Sequence, residues 1–188
     1  RQALAVLQAT KRPVLSVNGN VAALACDDML RLADALQCPL EVNIFYRTPE
    51  RMEAILSYIN ERKDALGLDV TVLGDAPDAT IPGLKGPRAA CHREGILESD
   101  VILVPLEDGD RCQALVAMGK TVVVIDLNPL SRSAQQASIT IVDELSRALS
   151  TMLELAEKED RLQIDEAYDH EAILEAGLDE ILSGFTRP

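Results

Sequence analysis

Two short polar runs hold the side chains best suited to chemistry. Glu107, Asp108, Gly109, Asp110 and Arg111 close the apolar stretch VILVPL, and Asp126 to Arg132 (DLNPLSR) closes the apolar stretch TVVVI. Asp108 and Asp110 are carboxylates of the kind that share Mg²⁺ with phosphate oxygens. Arg47, Arg111 and Arg132 carry the planar guanidinium that grips phosphate or carboxylate through two parallel bonds. Gly19 and Gly109 would let a ligand approach the backbone closely. With Asn18, Asn20 and Asn128, these residues suit a nucleotide and a second anion. Asp-Gly and Asn-Pro are also ordinary turn dipeptides, so on sequence chemistry alone each loop taken singly reads more readily as a plain turn.

The elements that must position these groups follow from periodicity. Val101 onward reads as strand, helix from Cys112 to Met118 stopped by Gly119, and strand again, which is one βαβ unit. Both loops of such a unit lie at the carboxyl edge of a parallel sheet, where open α/β folds bind ligands. Elsewhere the pattern predicts a helix end over Arg1 to Thr10, a strand Val14 to Val17, a helix Asp27 to Gln37 and a strand Leu40 to Phe45. A helix runs from Pro49 to about Leu66 with Thr48 as N-cap, then a strand Val70 to Leu73. A Pro- and Gly-rich loop spans Asp75 to Arg88, long enough to be a binding loop or lid. A short helix Ala89 to Glu98 precedes the central unit. A strand Ser138 to Val142, a helix opened by Asp143 and a helix Asp169 to Leu182 follow it. Six strands alternating with helices, two of them apolar on both faces, predict a Rossmann-like α/β fold with a parallel sheet covered on both sides, plus C-terminal helices.

Composition narrows the function. A chain of 188 residues suits one domain, 1–188, able to bury roughly 70% of its unfolded surface. No run approaches a membrane span. Four cysteines without CxxC spacing or a paired His argue against zinc and read as reduced, buried thiols of a cytoplasmic protein. Of the net charge of −13, thirteen acids against Arg147, Lys158 and Arg161 place −10 between Asp143 and Glu180. That reads as a solvated helical face and argues against nucleic-acid or anionic-membrane binding. His92 and His170 read as structural or surface residues. There is no G-x-G-x-x-G after a strand and no G-x-x-x-x-G-K-S/T, which weighs against NAD and against a P-loop.

Six ordered segments go further. SVNGN (16–20), EVNIFYRTPER (41–51), IPGL (81–84), VPLEDGDR (104–111), IDLNPLSR (125–132) and ITIVDE (139–144) resemble the archaeal phosphopantothenate synthetases, the 4-phosphopantoate:β-alanine ligases of coenzyme A biosynthesis. The resemblance implies an ATP-dependent, amide-forming ligase. ATP and phosphopantoate would give an acyl-adenylate and pyrophosphate, and β-alanine would then displace AMP. From the motif matches and the logic of charge, the expected ATP pocket is Asp108, Gly109, Asp110, Arg111, Asp126, Asn128, Pro129, Leu130 and Ser131, with Mg²⁺ on Asp108 and Asp110. Asn18, Gly19, Asn20, Arg47 and Arg132 would bind substrate, Arg47 and Arg111 would stabilise charge, and Asp126 or Glu107 would take the β-alanine proton. A homodimer is expected as well. Family members carry a helical segment with basic residues ahead of SVNGN, of which only Arg1 to Arg12 is present, so the chain is expected to begin inside a longer protein. The alternatives are a nucleotide-binding module without ligase activity and an NAD- or S-adenosylmethionine-dependent enzyme.

Overall fold

A computed structural model describes residues 1–159 and 161–184. In chain order it forms α1 (Gln2–Ala9), β1 (Pro13–Val17), α2 (Gly19–Ala35), β2 (Leu40–Val42), α3 (Pro49–Leu66), β3 (Val72–Leu73), β4 (Ala79–Thr80) and β5 (Ala90–Cys91). Then come β6 (Val101–Leu103), α4 (Gly109–Ala117), β7 (Thr121–Ile125), α5 (Arg132–Gln136), β8 (Ile139–Ile141), α6 (Leu145–Lys158) and α7 (His170–Gly184). The main sheet has the order β3-β2-β1-β6-β7-β8, and every pairing in it is parallel. The chain winds outward from β1 through β3, returns to the middle and winds the other way from β6. That reversal defines a switch point between β1 and β6.

Alternation along the strands divides the core in two. Leu15, Val17, Leu40, Val42, Val123 and Ile125 face α1, α2, α3 and α6, in one cluster with Leu4, Met29, Ile59 and Leu149. Val14, Ile102, Val104, Val122 and Val124 face α4 and the β4–β5 pair, in a second cluster with Ile81, Cys91, Ile96 and Leu115. A period-two strand buried on both faces requires this division, and it confirms the expected α/β sandwich of helices about a parallel sheet.

Boundaries differ from the sequence reading where side-chain caps decide them. Helix α2 starts eight residues before Asp27, because Asn18 caps it by accepting from the Asn20 and Val21 amides, and it kinks at Ala25. Helix α4 starts at Gly109 under an Asp108 cap, and α5, which periodicity does not reveal in five residues, is capped by Ser131. Glu144 rather than Asp143 caps α6. Strand β2 stops at Val42, leaving Phe45 and Tyr46 exposed in the loop beyond. The expected helix 89–98 is instead β5, paired antiparallel with β4, and a single π-turn over Arg93–Leu97 broken at Gly95. On α7, Leu174 and Leu178 are half-buried while Ile181 and Leu182 are exposed. Among the described residues no helix is long and apolar enough to cross a membrane. The four cysteines are free and buried. Burial pushes the Cys38 and Cys112 thiols up to about 12, which leaves them without nucleophilic character at neutral pH.

Candidate active site over the switch point

Asn18 ends β1 at the switch point and stitches it shut. Its Oδ1 caps α2, and its Nδ2 donates to the carbonyls of Pro105 (3.2 Å) and Leu106 (3.0 Å) beyond β6. Leu106 takes a left-handed backbone, φ 51°, which a leucine adopts only when its surroundings hold it there. They do so from two sides, since its amide also donates to the Ile125 carbonyl. Both polar atoms of the Asn18 side chain are thus engaged, Oδ1 in the cap and Nδ2 in joining the two loops, whereas Asn20 two residues on is exposed.

Beneath the loops lies a buried ionic cluster. Glu107 receives the guanidinium of Arg111 through Oε2, while its Oε1 accepts the Asp108 amide and lies 2.6 Å from Arg88 Nη2. Arg88 also donates to Asp108 Oδ2 (2.5 Å) and to Asn43 Oδ1 (3.4 Å), and Arg111 Nη2 donates to Ser16 Oγ (3.2 Å). Arg111 has no exposed surface, and its Nε lacks a hydrogen-bond partner. The Arg111 guanidinium, expected from sequence at a nucleotide, thus presents no surface to the crevice. Burial would raise the Asp108 carboxyl, but its bond from the Arg111 amide and the charge of Arg88 outweigh this and hold it below its ordinary range.

Sequence reasoning missed Ser16, Glu41, Asn43 and Arg88. A signal for three of them existed: Glu41 and Asn43 alternate along a strand that the fold must bury on both faces, and Ser16 does the same on β1. Polar side chains in such places need partners. Glu41, 1% exposed, accepts from the amides of His92 (2.9 Å) and Ile96 (2.7 Å) and so pins the π-turn to β2. A Cβ on Gly95 would fall inside contact distance of the Glu41 carboxylate and 2.8 Å from Leu73 Cδ1. Gly95→Ala is expected to cost about 1 to 3 kcal/mol, as overpacked cores do, and a urea midpoint equal to the parent's would contradict this packing.

The β7 loop is built around Asp126. Its Oδ1 accepts the Asn128 amide (2.9 Å), and its Oδ2 accepts the hydroxyls of Ser131 (2.6 Å) and Ser133 (2.9 Å). Pro129 is buried, while Leu127 and Leu130 are exposed. The loops after β6 and β7 touch: Arg132 pairs with Asp110 at 2.8 Å, and a Cβ on Gly109 would run into Arg132 Cβ. Gly109 is thus required by the close approach of α4 and α5. Asp108, Gly109, Asp110, Asp126, Asn128, Ser131 and Arg132 are brought together over β6 and β7.

Arg47 lies apart from them, over β2 and β3, where its guanidinium donates to the Gly74 carbonyl. Arg51, a further residue that the sequence reading passed over, is exposed beside it. Its Nη2 would be 3.0 Å from a Cβ on Gly19, and its Cζ stands 6.0 Å from the centre of the Tyr46 ring. Among the described residues Arg51 forms no ion pair. The edge thus has two halves, with capped loops over β6 to β8 and free arginine charge over β1 to β3.

The donor set does not fit a metal held by protein alone. Both Asp108 oxygens are taken by Arg111 and Arg88, Asp110 is paired with Arg132, and no cluster of three ligating side chains occurs among the described residues. Mg²⁺ that arrives on a triphosphate needs at most one or two carboxylates from the protein; Asp108 and Asp110 are both exposed, Asp110 the more so. As for the β-alanine proton, Glu107 sits between two arginines, and Asp126 accepts three hydrogen bonds from its own loop.

The doubly wound sheet, with ion-paired and capped loops where dinucleotide binders carry a glycine fingerprint, defines a Rossmann-like α/β protein of a distinct kind. The chain belongs to the phosphopantothenate/pantothenate synthetase family, whose sequence model matches residues 1–184. It is 46% identical to a 4-phosphopantoate–β-alanine ligase of Thermococcus kodakarensis, aligning over all of this chain and 72% of that protein. Ligases of the same name from Methanosarcina mazei (45% identical, 96% of this chain, 72% of that protein) and Thermococcus onnurineus (47%, 90% and 66%) are similarly close.

Proposed function

We propose that this chain joins 4-phosphopantoate to β-alanine at the expense of ATP, forming the amide 4'-phosphopantothenate for coenzyme A biosynthesis. The observation that carries the reading is identity of 45–47% to three ligases so named. The divided carboxyl edge supports it, because a nucleotide and a small phosphorylated acid need adjacent but different surroundings.

ATP lies over the loops of Asp108 to Arg111 and Asp126 to Ser131, with Arg132 beside its phosphates. Phosphopantoate lies over β1 to β3, against Gly19, Asn20, Arg47 and Arg51, while Asn18 shapes the floor between the two. The ionised carboxylate of phosphopantoate attacks the α-phosphorus, a C–O–P bond forms and pyrophosphate leaves. An ionised carboxylate needs no general base, so the protein contributes position and positive charge. The neutral amine of β-alanine then attacks the acyl carbon, a C–N bond forms, the acyl C–O bond breaks to release AMP, and the amine proton passes to the departing phosphate or to solvent. Arg111 acts from below, by holding Glu107 and with it the Asp108 amide. The chain works as a single domain and pairs as a cytoplasmic homodimer.

The test is direct: incubation with ATP, Mg²⁺ and both acids should yield 4'-phosphopantothenate by mass spectrometry, and its absence from a preparation shown to be folded would count against the reading. Arg47→Ala is expected to weaken phosphopantoate use by about 1.5 to 3 kcal/mol, the worth of a bond to a charged group, seen as a raised KM for that substrate. A KM change confined to ATP would move Arg47 to the nucleotide half.

A further inference from the structure

His92 lies between β5 and the π-turn, and its backbone is fixed by Glu41, which accepts the His92 amide. Its ring reaches across to the loop after β3, where Nε2 accepts the Gly74 N–H at 3.1 Å. A neutral imidazole that accepts through Nε2 carries its proton on Nδ1. Gly74 has φ +145°, and a Cβ there would meet Val42 Cβ at 2.9 Å, so the position is confined to glycine. The carbonyl of this same residue receives the Arg47 guanidinium. Glu41, His92, Gly74 and Arg47 thus form one connected series, from a buried carboxylate on β2 to a partly exposed cation at the carboxyl edge.

We propose that His92 is a positioning residue: by accepting the Gly74 N–H it holds the Gly74 carbonyl where that carbonyl anchors Arg47, and so sets the binding of the anionic substrate that Arg47 meets. This rests on the proposed function for the identity of that substrate. The neutral ring is the working form. A protonated imidazole donates from both nitrogens and has no lone pair for the Gly74 N–H, so acid breaks the series at its middle. The charged groups that act on the ring are Glu41 from β2 and Asp78 from the loop ahead of β4; Arg93 and Glu94 follow it in its own segment and Asp75 follows Gly74 in sequence, while Arg47 meets the Gly74 carbonyl. Asp78 is itself occupied by the Arg93 amide at 2.7 Å.

The experiment compares the parent, His92→Gln and His92→Leu, each checked for its fold by circular dichroism, across the range of about pH 5 to 8 in which histidines exchange their proton. Glutamine accepts through its amide oxygen and does not titrate; leucine does neither. His92→Leu should raise the KM for 4-phosphopantoate about tenfold at neutral pH, the loss of one anchored contact, with kcat within about twofold. His92→Gln should restore the KM and flatten its rise toward acid. The substrate phosphate titrates near pH 6 as well, so the difference between parent and glutamine variant isolates His92. An unchanged KM in the leucine variant, or a glutamine variant with the full acid rise of the parent, overturns the proposal. A readout independent of turnover is the Arg47 Nε–Hε resonance, which should move with the Gly74 amide as His92 titrates. An Arg47 signal that ignores that titration overturns the positioning role even if the enzyme is active. No product from the parent, with the two signals still coupled, would instead count against the ligase reading alone.

Discussion

Arg111→Ala is expected to lower the stability of the fold by about 3 kcal/mol, measured as a shifted urea midpoint. Removing one partner of a buried ion pair costs about 3 to 5 kcal/mol because the other charge is stranded. Here Glu107 keeps Arg88 at 2.6 Å, which places the cost at the lower end. The Ser16 hydroxyl also loses its donor. In the fraction that folds, the KM for ATP should change little, since the guanidinium has no exposed surface. A normal midpoint with a raised KM for ATP would return Arg111 to the nucleotide pocket.

Asp126→Ala should impair ATP use by about 1 to 3 kcal/mol, because three donors of the β7 loop lose their acceptor at once. The useful readout separates two roles. If Asp126 organises the loop, ATP–pyrophosphate exchange driven by 4-phosphopantoate falls together with amide formation. If it instead takes the proton of β-alanine, exchange persists and only the second step slows. The loop role is the expected result, and persistence of exchange in a folded variant would contradict it.

The fold was legible in the sequence because its signals are local and redundant. Thr48 and Pro49 mark the start of α3, Gly67 closes it in the left-handed conformation, and Leu145, Ala148, Leu149 and Met152 keep one face of α6 buried. Helix starts set by a side-chain cap after a strand were less legible, since Asn18 and Asp108 look the same whether they cap a helix or bind a ligand. That ambiguity also governs the site. The acids and arginines of the two polar runs do gather at the carboxyl edge, but sequence does not distinguish a charge offered to a ligand from one consumed within the fold. Arg111 is buried and paired with Glu107, whereas Arg51 is exposed and forms no ion pair among the described residues. Partners distant in sequence, such as Arg88 for Glu107, emerge only once the 75–91 segment has folded back over β2.

The central claim is the ligation itself, and AMP release tests it most directly. The protein is given ATP, Mg²⁺, 4-phosphopantoate and β-alanine, with each acid omitted in turn. Sustained AMP release only when both acids are present, matched by 4'-phosphopantothenate, is the predicted result. No AMP while ATP still binds would contradict the account and leave a nucleotide-binding module in its place, whereas ADP in place of AMP would keep the ligase and remove the acyl-adenylate.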